Sequence, residues 1–194
     1  MAKGIPSEMT GFSTEERQNK RWTYKENLKK TEDTIRDKPV EHMIMVDSKG
    51  NIKFQTTDNK VDEVSFTMEM AKNAVDAVVT HNHPGGSCFS PEDIQSALYY
   101  GVREIRATTA KNGTHVLRRN YELSEGAKLV DALYFPSAYY EYRITKVVPA
   151  VKAMIARKEI PFDLSAIRRE ESKLLSKWLT DNAGKYGWSY TKEE

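Results

Sequence analysis

The segment AVVTHNHPGGSCFSPEDI, residues 77–94, contains the densest group of reactive side chains in the sequence. An apolar run opens it, and two of the four histidines of the protein, His81 and His83, follow directly. Because residues i and i+2 of a strand share a face, both imidazoles are predicted to point the same way from a strand end. Asp93 follows across a loop. Two imidazoles and a carboxylate, with a fourth position open to water, are typical of a catalytic zinc site.

The same segment also has the pattern of a helix N-terminus. The Ser90 hydroxyl is predicted to cap a helix, Pro91 suits its first position, and Asp93 can reach back in a capping box. Acidic residues at this end also favour the positive end of the helix dipole. Capping alone would explain Ser90 and Asp93 but not the two histidines. The sequence therefore favours a metal site, with the cap as the alternative.

Outward from this segment, the pattern of apolar runs and turns predicts a small mixed sheet flanked by helices, an α/β (α+β) arrangement over residues 40–120. Polar turns separate the predicted elements, and the Asn112-Gly113 pair is typical of a hairpin. The predicted strands cover residues 41–47, 52–55, 77–81, 103–109 and 114–118, and the predicted helices cover 65–73 and 90–100.

Residues 1–39 are highly charged and are predicted to form an exposed helical arm. Ser13 or Thr14 is positioned to cap this helix, and Pro39 to end it. A solvated linker is the alternative, because the apolar side chains of this region are few.

Residues 121–194 are predicted to be mostly helical, with one helix from Ser124 to about Leu133 and a long one capped by Asp163. The apolar side of the long helix is expected to pack on the domain or on another chain. Its members are Leu164, Ile167, Leu174, Leu175, Trp178 and Leu179. Tyrosines and phenylalanines cluster between the two helices, where packing is favoured over stacking on bases.

Composition argues against several classes of function. The chain has 194 residues and a net charge of +2, which gives no strong field toward nucleic acid or a membrane surface. Lys111, Arg118 and Arg119 form only a small basic group, so nucleic-acid binding is not favoured. No apolar stretch approaches the roughly 20 residues of a membrane span. With the single cysteine Cys88 and no signal-peptide core, we expect a cytoplasmic protein.

The pattern His81-x-His83-Pro84, followed by Ser90-x-x-Asp93, resembles the JAMM motif of the JAB/MPN metalloprotease superfamily. The form His-Asn-His-Pro-x-Gly is especially similar to the RadC-like and phage-associated bacterial branch. The resemblance covers residues 40–119. It implies a small sheet between helices with cytidine-deaminase-like layering, and an enzyme of a bacterial or phage-infected cell.

The resemblance also implies a role for each site residue. His81, His83 and Asp93 would hold one zinc ion per chain for the hydrolysis of a peptide or isopeptide bond. Glu41, at the start of an earlier strand, matches the glutamate that the family uses as a proton acceptor, and Ser90 matches the oxyanion donor.

Some residues near this motif remain open alternatives. The loop between His83 and Ser90 is one residue shorter than in the family, which leaves the assignment of Ser90 open. Ser87 is the weaker alternative, because no aspartate follows it at the x-x-Asp spacing. Glu63 and Glu69 are weaker candidates for the glutamate.

The remaining cysteine and histidines are expected to be structural. Cys88 could bind a metal or act as a redox switch, but we expect a small residue packed in the loop. His42 is expected to point to the opposite face of its strand, and His115 to be exposed in the hairpin.

A second hypothesis places the protein in a different class. The same fold could serve as a non-catalytic binding or assembly module in a phage particle or a DNA-associated complex. Under the enzyme hypothesis the partner is a protein or peptide substrate. Under either hypothesis, the N-terminal arm or the C-terminal helices could bind a partner protein.

Overall fold

The computed structural model describes residues 14–120 and 127–194, with side chains from residue 18 in the first helix and from residue 133 in the first helix after the gap. Ser13 and the predicted helix start at Ser124 lie outside the described residues. The helices are α1 (Thr14–Asp33), α2 (Met68–Lys72), α3 (Pro91–Tyr99), α4 (Ala127–Tyr142), α5 (Val148–Ala156) and α6 (Leu164–Asn182). The strands are β1 (Met43–Val46), β2 (Ile52–Thr56), β3 (Val78–Asn82), β4 (Glu104–Thr109), β5 (Gly113–Arg119) and β6 (Trp188–Glu193).

The strands form one six-stranded mixed sheet in the order β2-β1-β3-β4-β5-β6. Only β3 and β4 run parallel, joined through α3, and the other neighbours are antiparallel. The predicted α/β class, a mixed sheet flanked by helices, is confirmed. All five residues of β3 are buried, which suits a central strand covered on both faces.

The larger hydrophobic core lies between the sheet and helices α3, α4 and α6. Val79 and Ile105 of the sheet pack in the same buried cluster as Phe89, Phe135 and Leu179. The indole of Trp178, on α6, lies within stacking distance of several aromatic rings: Phe135, Tyr139, Tyr142 and Tyr186. The aromatic residues of this region are therefore used largely for packing, and the C-terminal helices are part of the core.

The end of α1 covers the opposite face of the sheet. Leu28 and Ile35 are buried against Ile44, Val46 and Val78. A fully exposed arm was expected, and this part of the prediction is wrong for one side of residues 28–35. The reason is a narrow stripe at helical spacing, whose members Leu28, Thr31, Glu32 and Ile35 are all buried. Two of the four are polar, so the stripe does not stand out in the sequence.

A buried ion-pair network secures the same contact. Arg106 Nε lies 2.5 Å from Glu32 Oε1, and its Nη1 lies 2.7 Å from Glu104 Oε1. The third nitrogen, Nη2, pairs with Glu193 of β6. One guanidinium on β4 thereby connects α1, the sheet and the last strand.

Strand β6 was not expected, because the C-terminal region was predicted to be mostly helical. Gly187, with φ of +81°, ends the short 3-10 turn before the strand in the left-handed conformation that suits glycine. The strand then pairs with β5 along its length, from Thr114↔Glu193 to Arg119↔Trp188. The same sheet therefore includes residues from the predicted domain 40–120 and from the region 121–194.

His115, expected to be exposed, is buried, with only 1% of its surface accessible. Its Nδ1 lies 2.7 Å from the hydroxyl of Tyr190 on β6, and the ring of Phe89 packs against it. Burial, with smaller contributions from Lys192 and His83, lowers the pKa of His115 to about 3.

We predict that Gly50→Ala detaches α1 from the sheet. Gly50 has φ of +82°, and an added Cβ would lie 2.5 Å from the Tyr24 carbonyl oxygen and 2.9 Å from the Leu28 nitrogen. The expected loss is about 2 kcal/mol of unfolding free energy in urea. Gly184→Ala is the control, because nothing lies within 4 Å of its added Cβ. Equal stability of the two variants would contradict the packing of α1.

We predict that His115→Gln makes the fold less sensitive to acid. The pKa of His115 is about 3 in the folded state and near 6.5 when unfolded, so the unfolded chain binds the extra proton as pH falls through this range. Wild type should therefore lose about 2 kcal/mol more stability than the variant between pH 7 and pH 5. If urea unfolding shows the same loss of stability for wild type and variant between pH 7 and pH 5, His115 is not the cause of the acid sensitivity.

Candidate metal centre

The two histidines lie where β3 ends. His81 belongs to the strand, and the His83 amide continues the pairing toward β4 by donating to the Thr108 carbonyl at 2.9 Å. Their Nε2 atoms face each other at 2.8 Å, and both rings are buried. The spacing of two residues therefore places both imidazoles on one side of the chain, as predicted.

Asp93, in the first turn of α3, completes a group of three donors. Its Oδ1 lies 3.2 Å from His81 Nε2, and its Oδ2 lies 3.5 Å from His83 Nε2. One donor atom from each residue lies within 4.8 Å of the others. Neighbouring ligands of a tetrahedral zinc ion are about 3.3 Å apart. The group His81, His83 and Asp93 could therefore hold a metal ion.

The capping box predicted from the sequence is also present. The Ser90 backbone N–H donates to Asp93 Oδ2 at 2.6 Å, and the Asp93 N–H donates to Ser90 Oγ at 3.1 Å. The two interpretations of Ser90 and Asp93 are therefore compatible. The cap holds the carboxylate in place, and its other oxygen, Oδ1, faces His81.

A backbone carbonyl orients the second imidazole. His83 Nδ1 donates to the Ser87 carbonyl oxygen at 3.0 Å, which leaves the Nε2 lone pair directed at Asp93 when the ring is neutral. The Ser87 hydroxyl lies 3.2 Å from the same nitrogen. Ser87 thus contacts the outer side of His83, away from the converging donor atoms. Sequence reasoning missed this role because a carbonyl has no residue-type signature.

The Glu41 carboxylate lies beside the same group of donors, and Glu41 stands just before β1. The Glu41 N–H donates to the Lys60 carbonyl at 2.8 Å, and Thr57 Oγ1 donates to the Glu41 carbonyl at 2.7 Å. The carboxylate, in a residue only 8% exposed, lies 3.8 Å from His83 Nε2. The alternatives Glu63 and Glu69 are exposed. Among these three glutamates, Glu41 is the one in contact with the histidines.

The three charged groups strongly affect one another. Burial raises the pKa of Glu41, an effect that the nearby histidines only partly oppose. Burial also acts to lower the pKa of His83, but hydrogen bonding and charge from Asp93 and Glu41 raise it to about 9. The same histidines hold the pKa of Asp93 well below its usual range against the effect of burial. The carboxylates of Asp93 and Glu41 thus favour a positive charge at this point of the structure.

A cavity of about 170 Å³ opens in front of the group. Glu41, His83 and Ser90 belong to its lining. The C-terminal region also contributes to the lining, through Arg143 after α4 and through Arg168 and Glu171 on α6. Sequence reasoning missed these last three residues, because they lie far along the chain and belong to no motif.

Cys88 and His42 lie outside the donor group. Cys88 is buried, and burial raises the pKa of its thiol, which keeps it protonated. This agrees with the expectation of a packed loop residue. The imidazole of His42, the residue after Glu41, is partly exposed and faces Gln55 at 3.5 Å.

No protein-family model matches the chain, no curated protein is significantly similar to it, and no solved structure matches it. The resemblance to the JAMM motif therefore depends on the residues quoted above. No helix in the described part of the chain combines the length and apolar character needed to cross a membrane.

Proposed function

We propose that this protein is a zinc-dependent hydrolase of peptide or isopeptide bonds that acts as a JAMM-type metallopeptidase. One observation carries the proposal: the donor atoms of His81, His83 and Asp93 converge with the Glu41 carboxylate beside a cavity. A helix cap needs only Ser90 and Asp93. The burial of two imidazoles and a second carboxylate at the same point calls for a further role.

Zinc is the ion that suits the donors best. Imidazole and carboxylate ligands are typical of catalytic zinc. Among the described residues three donors converge, which leaves a fourth position for water or substrate. When bound, the ion would supply a Lewis acid that lowers the pKa of a water molecule and polarises a carbonyl group.

Glu41 is the proposed general base. Its raised pKa, caused first by burial, brings its proton affinity closer to neutral pH than that of an exposed glutamate. Its carboxylate accepts a proton from the attacking water and later delivers it to the leaving amine. The position of this carboxylate 3.8 Å from His83 Nε2 supports this assignment.

Ser90 is the proposed donor to the developing oxyanion. Its Oγ accepts the Asp93 N–H, so the hydroxyl proton is free to be donated into the cavity. The short loop before it turns through Gly86, whose φ of +72° suits glycine. The Asn112 side chain donates to the Gly86 carbonyl at 2.9 Å and holds this turn. The shorter loop is thus compatible with the assignment of Ser90.

A binding or assembly module is the second candidate. The observation that favours it is an exposed apolar face on α4 and the turn after it, formed by Leu133, Tyr140 and Ile144 at helical spacing. A cytoplasmic location, as in a bacterial or phage-infected cell, fits both candidates, because the single buried thiol suits a reducing compartment.

We predict about one zinc ion per chain in native mass spectrometry, with the ion lost in His83→Ala and Asp93→Asn. Asparagine keeps an oxygen that can accept the Ser90 N–H, so Asp93→Asn separates the charge from the cap. His42→Ala is the matched control and should keep the metal. A folded protein that takes up no zinc after incubation with it would refute the enzyme proposal and leave the binding module as the better candidate.

We predict that Glu41→Gln keeps its zinc but cleaves peptides about 100- to 10,000-fold more slowly, since it cannot accept the proton. The measurement is the appearance of new termini in a peptide mixture incubated with zinc-loaded protein. Glu63→Gln, at an exposed glutamate paired with Lys60, is the control and should match wild type. Cleavage by Glu41→Gln at the wild-type rate, or no cleavage by the zinc-loaded wild type, would contradict the proposed mechanism.

A further inference from the structure

Arg168 lies against the loop that joins the candidate metal ligands. Its side chain, on α6, lines the cavity and packs directly on Gly85. A Cβ added at Gly85 would clash with Arg168 Nη1 and would lie 3.1 Å from Cζ. The guanidinium therefore occupies the space that a side chain at position 85 would need. Gly85 lies between His83 and Ser90 in the sequence.

The charges around Arg168 leave it unmatched. Arg143, the other cation that lines the cavity, is paired with Glu171 at 3.4 Å. Among the described residues, Arg168 has neither an ion-pair partner nor a hydrogen-bond acceptor, although it is half-buried. Its neighbour Arg169 is exposed and lies 3.6 Å from Glu170. A half-buried guanidinium with five N–H donors and no acceptor in the described part of the chain is suited to an anionic ligand.

The lining of the cavity also carries acidic groups. Asp62 lines it, and its charge helps raise the pKa of Glu41. Asp62 does not pair with Arg168 within 4 Å among the described contacts. Glu171 is paired with Arg143, so among the described residues Arg168 keeps its charge available to a negatively charged ligand that enters the cavity.

We infer that Arg168 binds a carboxylate of the substrate and so selects acidic peptides. A planar guanidinium matches a carboxylate through two parallel N–H···O bonds, which gives both affinity and direction. The carboxylate is either an aspartate or glutamate side chain near the cleaved bond or the C-terminus of the peptide. The description of the ligand as a substrate rests on the proposed function, whereas the binding of a carboxylate can be measured without catalysis.

The test is an NMR titration of the full-length protein, metal-free and zinc-loaded, that follows the backbone amide of Gly85. Three tripeptide probes separate the sources of the charge. Acetyl-Gly-Glu-Gly-amide offers a side-chain carboxylate, acetyl-Gly-Gln-Gly with a free C-terminus offers the terminal one, and acetyl-Gly-Gln-Gly-amide is neutral. We expect a saturable shift with at least one charged probe and none with the neutral probe.

Two substitutions test the residue itself. Arg168→Gln should weaken the charged probe about 10-fold or more, whereas Arg169→Gln, on the same helix, should bind as wild type does. Gly85→Ala should also weaken binding, because its methyl group displaces the guanidinium. The thermal unfolding curve of each variant checks that it is folded.

Several outcomes would overturn the inference: no shift at tens of millimolar probe, equal shifts with the neutral probe, or undiminished binding by Arg168→Gln. A shift that appears only with zinc and survives Arg168→Gln would mean that the carboxylate binds the metal, which also overturns it. Failure of the proposed function looks different. The protein would then bind the charged probe through Arg168 but take up no zinc or cleave no peptide.

Discussion

The Asp93 carboxylate connects the fold to the site. One oxygen accepts the Ser90 N–H and closes the capping box of α3, and the other faces His81 at 3.2 Å. The start of the helix therefore cannot move without moving the carboxylate away from the histidines. Because α3 joins the parallel strands β3 and β4, its start is also held by the centre of the sheet. The geometry of the donor group thus depends on the connection of β3 through α3 to β4.

The two sides of the site depend on different parts of the chain. Glu41 stands before β1 and is held by backbone contacts to the segment after β2. Arg143 and Arg168 come from the C-terminal helices, which share the large core through Phe135 and Leu179. The cavity is therefore formed by an early strand, a central loop and late helices. The residues proposed to bind the substrate thus lie outside the part of the chain that resembles a known motif.

Sequence reasoning predicted those features that depend on short spacings. The i, i+2 relation of His81 and His83, the cap at Ser90 and the strands up to β5 all follow from local patterns. The placement of Glu41 was inferred from a resemblance, and the structure brings it next to His83. What could not be predicted depends on long-range pairing. Strand β6 pairs with the edge of β5, and no local pattern in the sequence predicts this pairing.

Buried polar residues were the second obstacle to prediction. Glu32 and Arg106 lie in a contact that hydrophobic periodicity does not detect, because their burial depends on each other. His115 lies in the predicted hairpin, but it was expected to be exposed and is instead covered by β6 and Phe89. Arg168 likewise shows its significance only beside Gly85. In each case the partner lies tens of residues away in the sequence, so the spacing carries no signal.

We propose that His81, His83 and Asp93 together bind zinc. X-ray absorption spectroscopy at the zinc edge of the loaded protein reports the ligand types and their distances. We expect two imidazole ligands and oxygen ligands at about 2.0–2.2 Å, with no sulfur. A sulfur shell at about 2.3 Å would place Cys88 at the metal. A shell without imidazole would place the ion elsewhere. Either result would contradict the site described above.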